Sequence, residues 1–189
     1  MNNLRFFLVA PKAAVLADVI AGAKAACAAG GCASIVIYEN ATLQDVSALQ
    51  ALGLAVLLAD VEPRVVSHLR ADGLHVTSLE FNLLDLRMSL PKDTMVGLDC
   101  GTSRHAAMEA SEQGADYVAF HQKAQITGEP LVKWWNELAE IPAVPLDAAT
   151  LEEAIILAKH SDFIRPDDAM WQNAEAATRV ITELNLKLK

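Results

Sequence analysis

No apolar stretch in this 189-residue chain approaches the roughly 20 residues a helix needs to cross a membrane, so the sequence offers no membrane span. Positive charge is scarce. Fifteen lysines and arginines stand against 24 aspartates and glutamates, a formal net charge of −9. Such a surface repels nucleic acid unless a basic patch interrupts it, and no basic run is present. The same field opposes anionic small molecules, so a phosphate-handling site would need its own Arg, Lys or metal ion. The three cysteines, Cys27, Cys32 and Cys100, form no CxxC pair and no metal-ligand spacing. Their odd number, with an opening (MNNLRFFLVAPKAA) that lacks a basic region before a long apolar core, predicts a reducing, cytoplasmic setting. Aromatic residues make up only 5% while alanine is abundant, as expected where many helices pack closely on a sheet. Hydrophobic residues account for 53% and charged residues for 21%, which excludes disorder and suffices for one domain spanning residues 1–189.

The segment Met95 to Phe120, MVGLDCGTSRHAAMEASEQGADYVAF, reads as strand, loop, helix, turn, strand. Gly101 and Thr102 break the first strand, Ser103 is placed to cap the helix, and Ala106 and Ala110 form a narrow stripe that lets the helix approach a sheet. Gly114 supplies the left-handed residue that ends the helix, and a second strand starts at Asp116. Two strands joined by one helix must run parallel.

The same alternation fills the chain. Strands are expected at Arg5–Ala10, Ala33–Glu39, Leu54–Leu58, Asp72–Val76, Met95–Leu98, from Asp116, Pro142–Leu146 and Ser161–Ile164. The first helix should bury Val15, Val19, Gly22, Ala23 and Ala26 and stop at Gly30-Gly31. Thr42 with Asp45 resembles a capping box before Leu43, Val46 and Leu49, as does Thr150 with Glu153 before Leu151, Ala154, Ile155 and Ala158. A short helix is expected over Glu62–Leu69, and the next presents Phe81, Leu84 and Met88. Leu131, Trp134, Trp135 and Leu138 follow helical spacing, with one indole expected at the surface, a candidate contact between copies in a homo-oligomer. A last helix is expected from Met170 to about Leu184, presenting Trp171, Ala174, Thr178 and Ile181. Eight strand–helix pairs exceed a doubly wound sheet of five or six units, and no GxGxxG follows strand one. The fold class is therefore α/β, a single (β/α)8 TIM barrel.

In such barrels ligands sit at the C-terminal ends of the strands. Side-chain alternation turns Val36, Tyr38 and Asn40 inward from strand two, and Gly73, His75 and Thr77 from strand four. Strand five contributes Gly97 and Asp99, and strand six Tyr117, Ala119 and His121. Asp60, Asp147 and Arg165 follow strands three, seven and eight. The mouth is polar and rich in carboxylates. Cys100 lies there beside Asp99, whose charge would raise its pKa and disfavour a nucleophilic role.

ADGLHV (Ala71–Val76) and GADYVAF (Gly114–Phe120) resemble the ADGVHLGQ and GADYVGxG segments of the thiamine-phosphate synthase family, which includes the thiazole tautomerases. VGLDCGTSRHAAMEASEQGAD resembles its IGxSxHxxEEAxxAxxxGAD, and LLAD (Leu57–Asp60) its IINDR. Order and spacing agree over roughly residues 33–170. The resemblance implies a barrel that joins a pyrimidine pyrophosphate to a thiazole phosphate with Mg²⁺ and loss of pyrophosphate. It places Asp60 and Glu80 on the family's metal-binding acids and His75 on its strand-four histidine.

Elsewhere the pattern departs. Val36, Tyr38 and Asn40 stand where the family has Gln, Arg and Lys, and Asp99 replaces its strand-five Ser. Lys123 is a displaced stand-in for the lysine of the loop after strand six. Asp147-Ala148 replaces the Gly-Gly phosphate turn, and the serine after strand eight falls near Asp167-Asp168. Three charged hydrogen bonds lost in a transition state would cost roughly 5–9 kcal/mol, about four to six powers of ten in rate.

Each residue also has a structural reading. Asp60 and Glu80 also read as a solvated loop acid and a helix N-terminal acid, His75 as a core histidine, and His121 as a replaced glycine. Arg165 reads as an ion pair with Asp147, Asp167 or Asp168, or as an anion binder beside the former phosphate turn. Two functions stand open: an enzyme using His75, Asp99 and His121 in catalysis and Asp60 and Glu80 for Mg²⁺, or a non-catalytic barrel. The enzyme would take a small-molecule ligand, and the non-catalytic, regulatory barrel a small, less anionic ligand or a protein partner, through residues such as Tyr38, Asn40, Thr77, Lys123, Asp147 and Arg165.

Overall fold

The computed structural model describes residues 4–38, 40–78, 82–121 and 130–188. Its strands are β1 (Arg5–Val9), β2 (Cys32–Ile37), β3 (Ala55–Ala59), β4 (Gly73–Val76), β5 (Met95–Asp99), β6 (Tyr117–Phe120), β7 (Ala143–Pro145) and β8 (Phe163–Ile164). They form one sheet in the order β7-β6-β5-β4-β3-β2-β1-β8, and neighbouring strands run parallel. Between β7 and β8 the ladder gives way to looser links. Ala149 bridges Pro166, its N–H donates to Arg165 O at 3.1 Å, and the Ser161 hydroxyl donates to Ala143 O at 3.0 Å. The barrel is nearly closed, with β8 only two residues long.

The helices are α1 (Leu16–Ala29), α2 (Leu43–Gln50), α3 (Pro63–Leu69), α4 (Leu83–Ser89), α5 (Arg104–Glu112), α6 (Leu131–Asn136), α7 (Leu151–Leu157) and α8 (Ala174–Lys187). Both capping boxes are present at Thr42/Asp45 and Thr150/Glu153, and the Ser103 hydroxyl accepts from Ala106 N–H. Several expected faces differ. Val15 is the N-cap of α1 and exposed. The α4 helix buries Leu83 and Leu86 while Leu84 and Met88 face solvent; Phe81 lies outside the described residues. Leu138 lies beyond the end of α6 and is exposed. In α7 only Ala154 is fully buried. The last helix is split: a 3-10 turn over Asp168–Gln172 precedes α8, and Asn173 between them caps α8 by accepting from Ala176 N–H at 2.8 Å. The Trp135 ring is buried, its N–H donating to Ile141 O, whereas Trp134 is half-buried beneath the Arg104 guanidinium. Among the described residues no helix is long and apolar enough to cross a membrane.

Two apolar layers result. One packs helices against the outside of the sheet; the other fills the barrel with Phe7, Val9, Val36, Leu57, Ala59, Tyr117, Ala119, Val144 and Leu146. Gly97 makes room for the Tyr117 ring, because a Cβ at position 97 would lie 1.9 Å from ring carbon Cζ.

At the N-terminal foot, two aspartates sew strands together. Asp72 accepts the Val56 N–H at 2.7 Å and Asp116 accepts the Val96 N–H at 2.7 Å, so each residue before an even strand tethers the odd strand preceding it. Asp116 also pairs with Arg87, whose other donors reach Gly114 O and Thr94 O. Replacing Asp116 with alanine is expected to lower the unfolding free energy by about 2–3 kcal/mol, the upper end moderated by the partial exposure of its carboxylate. Thr150→Ala should cost about 1 kcal/mol through the lost cap. Urea unfolding of both variants measures the difference; equal losses would refute the tether at Asp116.

Candidate functional site

The C-terminal ends of the strands collect the polar side chains. His121, immediately after β6, lies between two carboxylates. Its Nδ1 is 2.7 Å from Asp147 Oδ1, in the loop after β7, and its Nε2 is 3.1 Å from Asp99 Oδ2, the last residue of β5. Both contacts are hydrogen bonds when each ring nitrogen carries a proton, the imidazolium form. Burial alone would lower the His121 pKa, but the Asp147 and Asp99 carboxylates outweigh it and hold the pKa above its ordinary value. Asp99 is oriented from behind, its Oδ1 accepting the Gly101 N–H at 2.9 Å.

Beneath this clamp His75 is buried. Its Nδ1 is 2.7 Å from the Tyr117 hydroxyl, and the two rings stack at 5.9 Å, 8° from parallel. Burial lowers the His75 pKa to about 4, the Asp99 and Asp60 charges offsetting only part of that, so the ring is neutral. Burial, with smaller help from Asp116 and Asp99, raises the Tyr117 pKa and keeps its proton in place.

The remaining rim residues are engaged with one another. Asp60, at φ +52°, accepts from Thr77 twice: the backbone N–H at 2.8 Å and the hydroxyl at 2.6 Å. In the ADGVHLGQ segment glycine stands at that place, so the hydroxyl contact is particular to Thr77. Arg165 donates to Leu146 O at 2.7 Å and, through Nη2, to both Asp168 oxygens at 2.8 and 3.1 Å. Tyr38 is half-buried. Its pKa is raised by burial first, then by Asp60, Asp99 and Asp168 against the opposing charge of Arg165. Asn40 is exposed, at φ +77° in the loop after β2. Lys12, which the strand pattern does not single out, reaches over the Tyr38 ring at 4.9 Å from the loop after β1. Glu80 and Lys123 lie outside the described residues.

Among the described residues no group of three His, Cys, Asp or Glu is arranged to hold a metal ion. Mg²⁺ needs near-octahedral oxygen ligation. Asp60 supplies one carboxylate, each of whose oxygens accepts one hydrogen bond from Thr77, and the second acid expected beside it, Glu80, lies outside the described residues. Cys100 is buried and its thiol pushed up to about 12, by burial first and Asp99 second, which removes it as a nucleophile. Cys27 and Cys32, linked by no sequence spacing, share a thiol hydrogen bond that lowers the pKa of Cys27 and raises that of Cys32.

A family model for thiamine monophosphate synthase matches residues 6–160. The chain belongs to the thiamine monophosphate synthase family. It is 29% identical to the thiamine-phosphate synthase of Rhodospirillum centenum over 98% of both chains, and 32% identical to that of Erythrobacter litoralis over 60% of this chain and 58% of the relative. Solved structures add the fold. A tryptophan synthase from M. tuberculosis superposes with a TM-score of 0.75 at 14% identity, covering 99% of this chain and 93% of that one. The (S)-3-O-geranylgeranylglyceryl phosphate synthase of Thermoplasma acidophilum gives 0.69 at 16%, covering 98% and 93%. Within the thiamine monophosphate synthase family, this member's recognisable ADG and GAD segments contribute Asp72 and Asp116 to the barrel foot, away from the mouth.

The two histidines should titrate oppositely. Folding raises the His121 pKa, so its stabilising contribution is complete below about pH 6.5 and lost as pH rises through the raised value. Folding lowers that of His75 to about 4, so the unfolded chain takes up the proton first and stability falls as pH drops from about 6.5 towards 4. Urea midpoints measured from about pH 4 up through the raised His121 value should show His121→Gln flattening the alkaline limb, and NMR should find His75 neutral at pH 5; a protonated His75 there would refute the assignment.

Proposed function

We propose that this member of the thiamine monophosphate synthase family binds a small, neutral or cationic molecule at the barrel mouth, in the cytoplasm, without the pyrophosphate-releasing condensation. The observation that carries this reading is the His121 clamp. At the corner where the family resemblance places a Gly-Gly phosphate turn, Asp147 is present and holds His121 together with Asp99. An anion entering there would have to displace a carboxylate from the imidazolium. At an effective dielectric constant of 20, two like charges 4 Å apart repel by about 4 kcal/mol, more than one charged hydrogen bond returns. Arg165, which donates to Leu146 O beside that corner, is matched by Asp168. Tyr38, half-buried between Lys12 and the acidic rim, offers a ring face to a ligand of low negative charge. His75 and Tyr117 form a neutral, hydrogen-bonding floor.

A second reading keeps the chain as a thiamine-phosphate synthase that uses Mg²⁺ through Asp60 and Glu80, with His75, Asp99 and His121 in catalysis. The Asp at the end of β3 and the near-full-length similarity to the Rhodospirillum centenum synthase favour it.

Incubation with the pyrimidine pyrophosphate, the thiazole phosphate and Mg²⁺ separates the two. On the first reading, product does not rise above the level of an Asp60→Ala variant, and thiamine raises the melting temperature more than thiamine phosphate or pyrophosphate does. Turnover that disappears in Asp60→Ala establishes the second reading instead.

A further inference from the structure

The opposite end of the barrel contains a cavity that neither reading uses. It has a volume of about 160 Å³ and opens at the N-terminal foot. Its walls are apolar and largely aromatic: Phe7, Leu57, Tyr117 and Phe163 face into it. Phe7 packs edge-on against Tyr117 at 5.6 Å and against Phe163 at 6.5 Å. The space exists because two strands contribute small residues to the lowest inward layer, Ser34 on β2 and Ala55 on β3, where a larger side chain would complete the packing. Arg5 stands at the rim with its guanidinium 4.6 Å from the Phe163 ring centre, covering the outer edge of the aromatic wall.

One polar atom in this cavity is unaccounted for. Ser34 is only 7% exposed, lies on the same strand face as Val36 inside the barrel, and its Oγ has no hydrogen-bond partner among the described residues. A buried hydroxyl without a partner is destabilising, so a group that bonds it is favoured. The charged groups that also line the cavity are engaged elsewhere, Asp116 with Arg87 and the Val96 N–H and Arg5 on the Phe163 ring, so a water at Ser34 lacks the two to four polar partners it needs. An aromatic ring with one polar substituent does better. Benzene occupies an apolar cavity of about 150 Å³, so the volume suits a single six-membered ring.

We propose that the barrel foot is a second binding site, for a monocyclic aromatic molecule bearing one hydroxyl. The ring lies among Phe7, Tyr117 and Phe163, and the hydroxyl bonds Ser34 Oγ. The site is separated from the mouth by the Tyr117 and His75 rings, so its occupancy does not depend on what the mouth binds.

Phenol and benzene are the probes, titrated into the full chain and followed by NMR at Phe7, Ser34 and Tyr117. Saturable phenol binding with shifts centred on these residues is expected. Ser34→Ala should weaken phenol about fivefold, the value of one net hydrogen bond, and leave benzene unchanged. Ala55→Leu, which fills the space, should abolish both, and Ser34→Leu fills it from the neighbouring strand if Ala55→Leu does not fold. The absence of a saturable response to millimolar phenol in the unaltered chain overturns the proposal. So does phenol binding that survives the filling substitution, or an equal effect of Ser34→Ala on phenol and benzene.

Discussion

The interior of this barrel depends on one substitution of space for side chain. Position 97 has no Cβ, and the Tyr117 ring from the neighbouring strand takes the volume. That places the Tyr117 hydroxyl on His75 and stacks the two rings across the axis. The pair is neutral because both groups are desolvated, which removes the penalty of a buried charge. It divides the barrel into an apolar lower half and a charged rim. A methyl group at position 97 would displace the ring and with it the floor of the mouth.

Much of this architecture is legible in the chain because local chemistry and the fold agree. Thr42, Ser103 and Thr150 cap the helices that their spacing announces, and Tyr38, His75, Asp99, Tyr117 and His121 alternate inward as a parallel strand requires. The faces of the short helices are less legible. In α4, Leu83, Leu84, Leu86, Met88 and Leu90 fit two helical phases, and only the sheet beneath selects Leu83 and Leu86. The helix expected from Met170 contains Asn173, whose side chain prefers to cap, so one periodic stretch becomes a 3-10 turn and a helix. The seam between β7 and β8 also escapes the pattern, since β8 retains only Phe163 and Ile164 in strand geometry.

At the mouth, alternation indicates which residues meet but not which of them bond. Asp99, His121 and Asp147 are separated by 22 and 26 positions, so their clamp follows from the adjacency of β5, β6 and β7 in the sheet rather than from any spacing in sequence. The contact of Thr77 with Asp60 is similar, because a hydroxyl replaces a hydrogen atom at a place where the family segment has glycine. Lys12 escapes the pattern because it belongs to a loop, where neither a two-residue nor a 3.6-residue period applies. Its position after β1 is the signal that could have found it, since every loop after a strand opens at this end.

The two foot aspartates carry a wider meaning. Asp72 and Asp116 belong to the most recognisable segments of the chain, yet each spends its carboxylate on a backbone amide of the strand next door, on the side of the barrel remote from His121. What makes the lineage easy to trace is thus a set of rivets in the scaffold. Rivets can persist while the chemistry above them is rebuilt, so kinship read through them is inherited architecture, and occupation must be read at the other rim.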